Sequence, residues 1–300
     1  MYFLLLVIKK PKIIILIISN LTDRLGNQLF QYAAAKSLAE KNGASLKINK
    51  NFYTEQTGMG AYELHHFKIT EEFVSKSELN EYMWPNDSLK YRILRKIYPK
   101  HIYFEALGGY DENFENLGDK VCLRGFWQSY KYFESIEDII RKEFTIKHSL
   151  EGKNLLMSKQ ILNSTAVSVH IRRGDYLKPD NVKNYVSCSI DYYKRAIEIM
   201  TKKLSNPSFY FFSDDIKWVK ESFPDSDNNH FVDFNTGKTA YEDLRLMTLC
   251  KANIIANSTF SWWGAWLNNT PNKIVIAPEK WFIDRELTTD ALYPSDWITI

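Results

Sequence analysis

Ala166-Val-Ser-Val-His-Ile171 runs straight into Arg172-Arg-Gly-Asp-Tyr176, an apolar stretch that turns abruptly polar. The apolar part is short, rich in β-branched residues and preceded by a helical pattern at 150–162. It therefore reads as a buried strand of a parallel sheet. Downstream the alternation repeats: helix 190–203, strand 209–212, helix 214–223, strand 231–234, helix 240–250, strand 253–256, helix 260–267, strand 273–277. Strands separated by helices of about ten residues are βαβ units, and the class is α/β.

Upstream the rhythm is looser. Residues 13–18 read as a buried strand and 25–42 as a helix, with Leu29, Phe30, Ala33, Ala34 and Leu38 on one face and Gly43 placed to end it. A strand at 45–48, helices at 71–82 and 89–98, a strand at 121–123 and a helix at 132–144 complete this part. Regularity begins near 144–152. The expected division is a domain of residues 1–150 and another of 151–300, each Rossmann-like, with a cleft between them.

Composition narrows the function classes. With 300 residues, 39 basic and 36 acidic, the net charge is only +3, which argues against a polyelectrolyte or a sequence-blind nucleic-acid binder. The short basic stretch at 92–100 reads as a solvated helix face. Eighteen Tyr, 18 Phe and 8 Trp argue for a packed globular chain. Cys122, Cys188 and Cys250 are odd in number and widely spaced, which fits reduced thiols in a cytoplasmic setting. The apolar runs at 2–8 and 13–18 are split by Lys9, Lys10, Pro11 and Lys12. Neither reaches the roughly 20 residues of a membrane span. The charge follows the apolar run, unlike a signal peptide. Residues 1–8 read as an extra strand or an apolar tail, leaving room for peripheral membrane contact.

Three segments carry chemistry. Ligands of open α/β sheets bind beyond the carboxyl ends of the strands, which is where strand 166–171 delivers His170, Arg172, Arg173 and Asp175. A surface Arg–Asp pair is one reading. A diphosphate clamp is the other, because guanidinium forks match phosphate oxygens. Asn257-Ser-Thr-Phe-Ser-Trp-Trp-Gly-Ala-Trp-Leu267 opens a helix after a strand, with Ser258 or Thr259 as N-cap, a setting that favours anions. The alternative is an ordinary cap followed by a Trp stripe in the core. The Asn-Ser-Thr sequon there recurs at 163–165 and carries no weight alone. In Asp23-Arg-Leu-Gly-Asn-Gln28, Gly26 allows close backbone approach to a phosphate, and Asn27 and Gln28 offer hydrogen bonds. By itself this is a strand–helix turn, with no Gly-x-Gly-x-x-Gly or Walker pattern.

Other polar clusters read as local structure. Ser213-Asp-Asp215 fits a helix start. Thr239-x-x-Glu242 fits a capping box, which leaves Asp243 unexplained. Asp225-Ser-Asp227 matches the Asp-x-Asp pattern of metal-dependent sugar transferases but follows Pro224 in a polar loop, so no metal site is expected. His65-His66 has no ligand spacing.

Together the segments resemble the bacterial α-1,2-fucosyltransferases of glycosyltransferase family 11. The resemblance rests on Leu25-Gly-Asn-Gln-Leu-Phe-Gln-Tyr32, Gly125-Phe-Trp-Gln-Ser129 with Tyr132-Phe133, His170-Ile-Arg-Arg-Gly-Asp-Tyr176, Phe212-Ser-Asp-Asp215 and Ile255-Ala-Asn-Ser-Thr-Phe-Ser-Trp-Trp263, five stretches in family order. It implies a glycosyltransferase B-type fold, GDP-fucose as donor, no metal or other cofactor, and inverting transfer to the 2-hydroxyl of a terminal galactose in an oligosaccharide or O-antigen. Arg172 would contact the β-phosphate and His170 the diphosphate or ribose, with Asp175 orienting the arginines. Arg173, Asn257, Ser258, Thr259 and Ser261 would complete the donor site, and Asp243 would read guanine. Arg24, Gly26 and Asn27 would approach across the cleft. Trp127, Gln128 and Tyr176 are the acceptor-side candidates. The family usually places two glycines where Asp23 and Arg24 stand. Asp23 can adopt the left-handed conformation, but an acid beside a diphosphate is repulsive and predicts weaker donor binding. A protein O-fucosyltransferase and a catalytically silent carbohydrate-binding protein are the rival readings; nucleic acid and an integral membrane span are not expected.

Overall fold

Strand β1 (Leu16–Asn20) is buried along its whole length, as a strand covered on both faces must be. The structure is a computed structural model describing residues 15–53, 60–83, 101–106, 109–174, 187–281 and 291–300. Helix α1 (Leu25–Asn42) follows β1 and ends at Gly43, whose φ of 61° suits a residue without Cβ. Strands β2 (Ser45–Asn49), β3 (Ile102–Phe104) and β4 (Lys120–Arg124) complete a parallel sheet ordered β2-β1-β4-β3. Helices α2 (Lys76–Tyr82) and α3 (Glu137–Glu143) belong to this part of the chain.

The second sheet is also parallel, ordered β10-β9-β8-β5-β6-β7. Its strands are β5 (Thr165–Ile171), β6 (Pro207–Ser213), β7 (Asn229–Val232), β8 (Ala252–Ile254), β9 (Ile274–Ala277) and β10 (Ile298–Thr299). Between them run α4 (Gly152–Leu162, preceding β5), α5 (Ile190–Lys203), α6 (Ile216–Ser222), α7 (Ala240–Thr248) and α8 (Thr259–Trp266). Among the described residues no helix is long and apolar enough to cross a membrane.

Each sheet has a point where the chain reverses its direction of growth. In the first, β2 lies on one side of β1 and β4 on the other; in the second, β6 and β8 flank β5. Crevices at the carboxyl ends of strands open at such points. The turns leaving β1 and β4 carry residues 21–24 and 125–129; those leaving β5 and β8 carry 172–174 and 255–258.

Several expected elements shifted. Residues 71–75 are not helical, because Phe73 bridges to Ile48, and α2 starts only after a capping box between Ser75 and Glu78. The helix expected at 132–144 is two 3₁₀ turns, Tyr130–Tyr132 and Glu134–Ile136, followed by α3. Strand β7 lies two residues earlier than 231–234, and β3 and β10 gave no periodic signal. Residues 1–12 and the helix expected at 89–98 lie outside the described residues.

An aromatic seam joins the two sheets. Phe30 of α1 lies 4.5 Å from Trp262 and 4.9 Å from Trp263 of α8, and Phe133 stacks on Trp263 at 5.3 Å. Trp262, Trp263 and Trp266 are all buried, so this Trp stripe packs the core. Trp263 Nε1 donates to the Gly26 carbonyl at 3.0 Å. Gly26 is buried against the start of α8: a Cβ there would meet Thr259 Oγ1 and lie 2.7 Å from Phe260 N. Backbone cannot yield as a side chain does. Gly26→Ala is therefore expected to cost about 1–3 kcal/mol, seen as a lower urea midpoint at unchanged slope. A wild-type midpoint would show that the helices separate freely.

Candidate active site

His170, the penultimate residue of β5, has 5% of its surface exposed, and its Nδ1 is buried without a hydrogen-bond partner. Burial, then the Arg172 charge, pushes its pKa down to about 3, so the imidazole is neutral at pH 7. Its ring lies 5.6 Å from Phe260, in the first turn of α8. The β5 end and the α8 start thus meet at His170 and Phe260.

The two arginines diverge. Arg172 Nη1 lies 3.0 Å from Asp214 Oδ2. Asp214 Oδ1 accepts from Arg173 N at 2.9 Å. A Cβ on Gly174 would lie 2.7 Å from Asp214 Oδ2, so glycine makes room for that carboxylate. The Arg173 guanidinium instead stacks 3.8 Å over Trp218 and pairs with Asp215 at 3.3 Å. Asp215 also caps α6 by accepting from Trp218 N. Arg173 is thereby held on α6, and Arg172 is the arginine beside His170. Asp214 is no helix-start acid, as its motif had implied; it orients Arg172. Asp175, expected in that role, and Tyr176 lie outside the described residues.

At α8 the cap is Ser258, but its side chain makes no capping bond. The first-turn N–H groups of a helix have no partner within it, and the helix dipole there favours an anion. Asn257 and Ser261 serve the loop itself: Asn257 Nδ2 donates to Trp281 O at 3.2 Å, and Ser261 Oγ to Ser258 O at 3.2 Å. Thr259 faces Gly26.

On the opposite wall Asp23 adopts φ 66°, the left-handed conformation anticipated for it. Its carboxylate accepts from Asn27 Nδ2 at 2.8 Å, and Asn27 Oδ1 accepts from Gln128 Nε2 at 3.0 Å. The two turns of the first sheet's reversal point are thereby tied together. Gln28 is buried and donates to Asp23 O and Ala61 O. The α1 start is already occupied by a carboxylate, since Glu63 Oε2 accepts from Leu25 N at 3.1 Å. Burial raises the Glu63 pKa, opposed by that bond and by Arg24. Arg24 is exposed. Gly26 approaches α8, where its motif had implied an approach to phosphate.

The sequence model of glycosyl transferase family 11 matches residues 4–300. The chain belongs to glycosyltransferase family 11. It is 35% identical over 299 residues to the α-1,2-colitosyltransferase of Escherichia coli, covering 95% of this chain and 99% of that one. It is 28% identical over 255 residues to galactoside α-(1,2)-fucosyltransferase 1 of Gorilla gorilla gorilla, covering 81% and 63%. Its fold is similar to that of the fucosyltransferase NodZ from Bradyrhizobium, with a TM-score of 0.50 at 15% identity over 83% of this chain and 92% of that one. The mixed α/β architecture with parallel sheets, of the B type expected from the resemblance, is the one found.

In this family-11 glycosyltransferase, Asp243 stands in the first turn of α7, buried, with Oδ1 accepting from Asn235 Nδ2 at 2.8 Å. Burial, helped by the Glu242 charge, raises its pKa to about 7. The capping box expected between Thr239 and Glu242 does not form. Thr239 pairs with Thr236, and Glu242 binds Arg245. Asp225 and Asp227 are exposed just before β7, at the amino edge of the sheet, away from the crevice. Trp127 is 1% exposed, packed on Phe114 and Tyr132 at 5.5 and 5.1 Å, so its indole does not reach an acceptor. Glu63 and Asp214 were invisible as site residues in the sequence, because the partner of one is distant in the chain and a helix-start pattern masked the other.

Proposed function

We propose that the enzyme transfers L-fucose from GDP-fucose to the 2-hydroxyl of a terminal galactose, with inversion and without a metal. The observation that carries this reading is the meeting of Arg172, oriented by Asp214, with the neutral His170 and the start of α8 where the two reversal points face each other. As the sugar C1–O bond breaks, the leaving GDP gains negative charge. The Arg172 guanidinium, held by Asp214, is preorganised to meet it, and the dipole of α8 adds to the field there. His170 Nδ1 offers one neutral hydrogen-bonding atom to the diphosphate or ribose. Asp243, fixed by Asn235, is the acid for guanine, whose ring edge presents N–H donors. Arg24 and Asn27 close the site from the opposite wall. The α-1,2 linkage is supported by the names of both sequence relatives, and the galactosyl acceptor by one of them.

A second donor is favoured by one finding, the higher identity to the colitosyltransferase. Colitose is fucose without its 3-hydroxyl, so a single hydrogen-bonding group separates the two donors. A cytoplasmic setting at the inner face of a bacterial membrane fits the three free thiols. The test is GDP release from GDP-fucose in EDTA with lactose, type 1 and type 2 galactosides, with nucleotide-activated colitose run in competition. Turnover is expected to survive chelation. Strict dependence on a divalent cation overturns the metal-free reading, and faster turnover of the colitose donor overturns fucose.

A further inference from the structure

Trp127 has φ 56°, a conformation costly for a bulky side chain. Such strain persists only where surrounding structure over-determines it. Here Glu105, just past the end of β3, supplies the hold: its Oε2 accepts from Phe126 N at 2.8 Å and from Trp127 N at 2.7 Å. Gly125 makes room, since a Cβ there would lie 2.6 Å from the same oxygen. The clamp turns Trp127 into the core and its neighbour outward, leaving Phe126 46% exposed. Phe104, the residue before Glu105, is 62% exposed, in register with Arg124, whose guanidinium lies 5.6 Å from the ring. Two residues beyond Phe126, Gln128 binds Asn27, so the turn meets the start of α1, which packs on the start of α8.

We propose that Phe126, turned outward by the Glu105 clamp, and Phe104, at the end of β3, form an aromatic subsite for the apolar face of a β-galactoside in the acceptor glycan. The choice of occupant rests on the reading above. Pyranosides with an axial 4-hydroxyl gather their C–H bonds on one face, which suits an aromatic ring, and the remaining hydroxyls find hydrogen-bonding groups in Arg124 and Gln128. Pockets that combine aromatic walls with a few polar groups fix a ligand's orientation. The subsite takes the place that Trp127 was expected to fill.

The test is saturation-transfer NMR of lactose on the full chain, with and without GDP, for wild type, Phe126→Ala, Phe104→Ala and Phe126→Tyr. Galactoside Kd is expected to rise about tenfold or more in Phe126→Ala, to rise in Phe104→Ala, and to stay near wild type in Phe126→Tyr. Unchanged GDP affinity in the alanine variants reports an intact fold. Wild-type lactose affinity in Phe126→Ala, or no saturable lactose binding by wild type in either state, overturns the subsite. Saturable lactose binding that depends on Phe126, combined with no GDP-fucose turnover, strikes the donor reading and leaves the subsite standing.

Discussion

Arg172→Ala is expected to lower kcat/KM by about 10²–10³-fold while the protein stays folded. The guanidinium is oriented before substrate arrives: Asp214 holds Nη1 at 3.0 Å and is itself held by Arg173 N at 2.9 Å. Preorganisation is what makes such a group effective against developing charge. The fold should tolerate the loss, because Asp214 keeps its amide partner and enough exposure to be solvated. Arg172→Lys should recover part of the rate, since an ammonium keeps the charge but not the planar fork. Rates of GDP release from GDP-fucose measure both variants. Near-wild-type turnover in Arg172→Ala would remove this residue from the reaction.

Asp243→Asn is expected to stabilise the free protein at alkaline pH and to weaken its grip on GDP. The carboxyl ordinarily titrates at 3.8, whereas burial lifts it to about 7 in the folded chain. Below pH 4 both states are protonated. As pH rises from about 4 to about 7, the unfolded chain releases its proton and the folded chain does not, so this group lowers stability progressively across that window. A difference of about three pKa units corresponds to about 4 kcal/mol at most above pH 7. Asparagine keeps an oxygen for Asn235 and escapes that cost. It also presents an amide where guanine requires an acceptor, so GDP affinity should fall about tenfold or more and discrimination against inosine diphosphate should shrink. Thermal melts at pH 5 and pH 8, paired with GDP titrations, separate the two effects. GDP binding equal to wild type would take Asp243 out of nucleotide recognition.

These expectations differ in how much of them the sequence carried. Helix α1 and helix α5 span the same residues in pattern and in structure, because a full apolar stripe with clear end signals leaves little choice. The placement of His170 and Arg172 was legible because a buried parallel strand must deliver its last residues to the carboxyl edge. Glu105 and Glu63 were not: each is ordinary in its own segment, and its meaning lies in backbone amides 21 or 22 residues away in one case and 38 in the other. Asp214 was hidden differently. Its place before a helix offered a sufficient local explanation, and only the fold shows that Arg172 uses it. Trp127 misled for a related reason, since an indole in a cleft motif reads as a ligand surface until its backbone conformation turns it inward. Strand β3 escaped notice because three residues are too few for a period to show.

The seam between Phe30, Phe133 and the tryptophans of α8 bears on how the enzyme can be re-engineered. Its large rings interlock across the line where a designer would cut, and any side chain at Gly26 would push against the start of α8. Chimeras that join the first half of one relative to the second half of another must transplant α1 and α8 as a matched pair. New acceptor or donor preference is better sought in the turns around the crevice, where residues change without disturbing that joint.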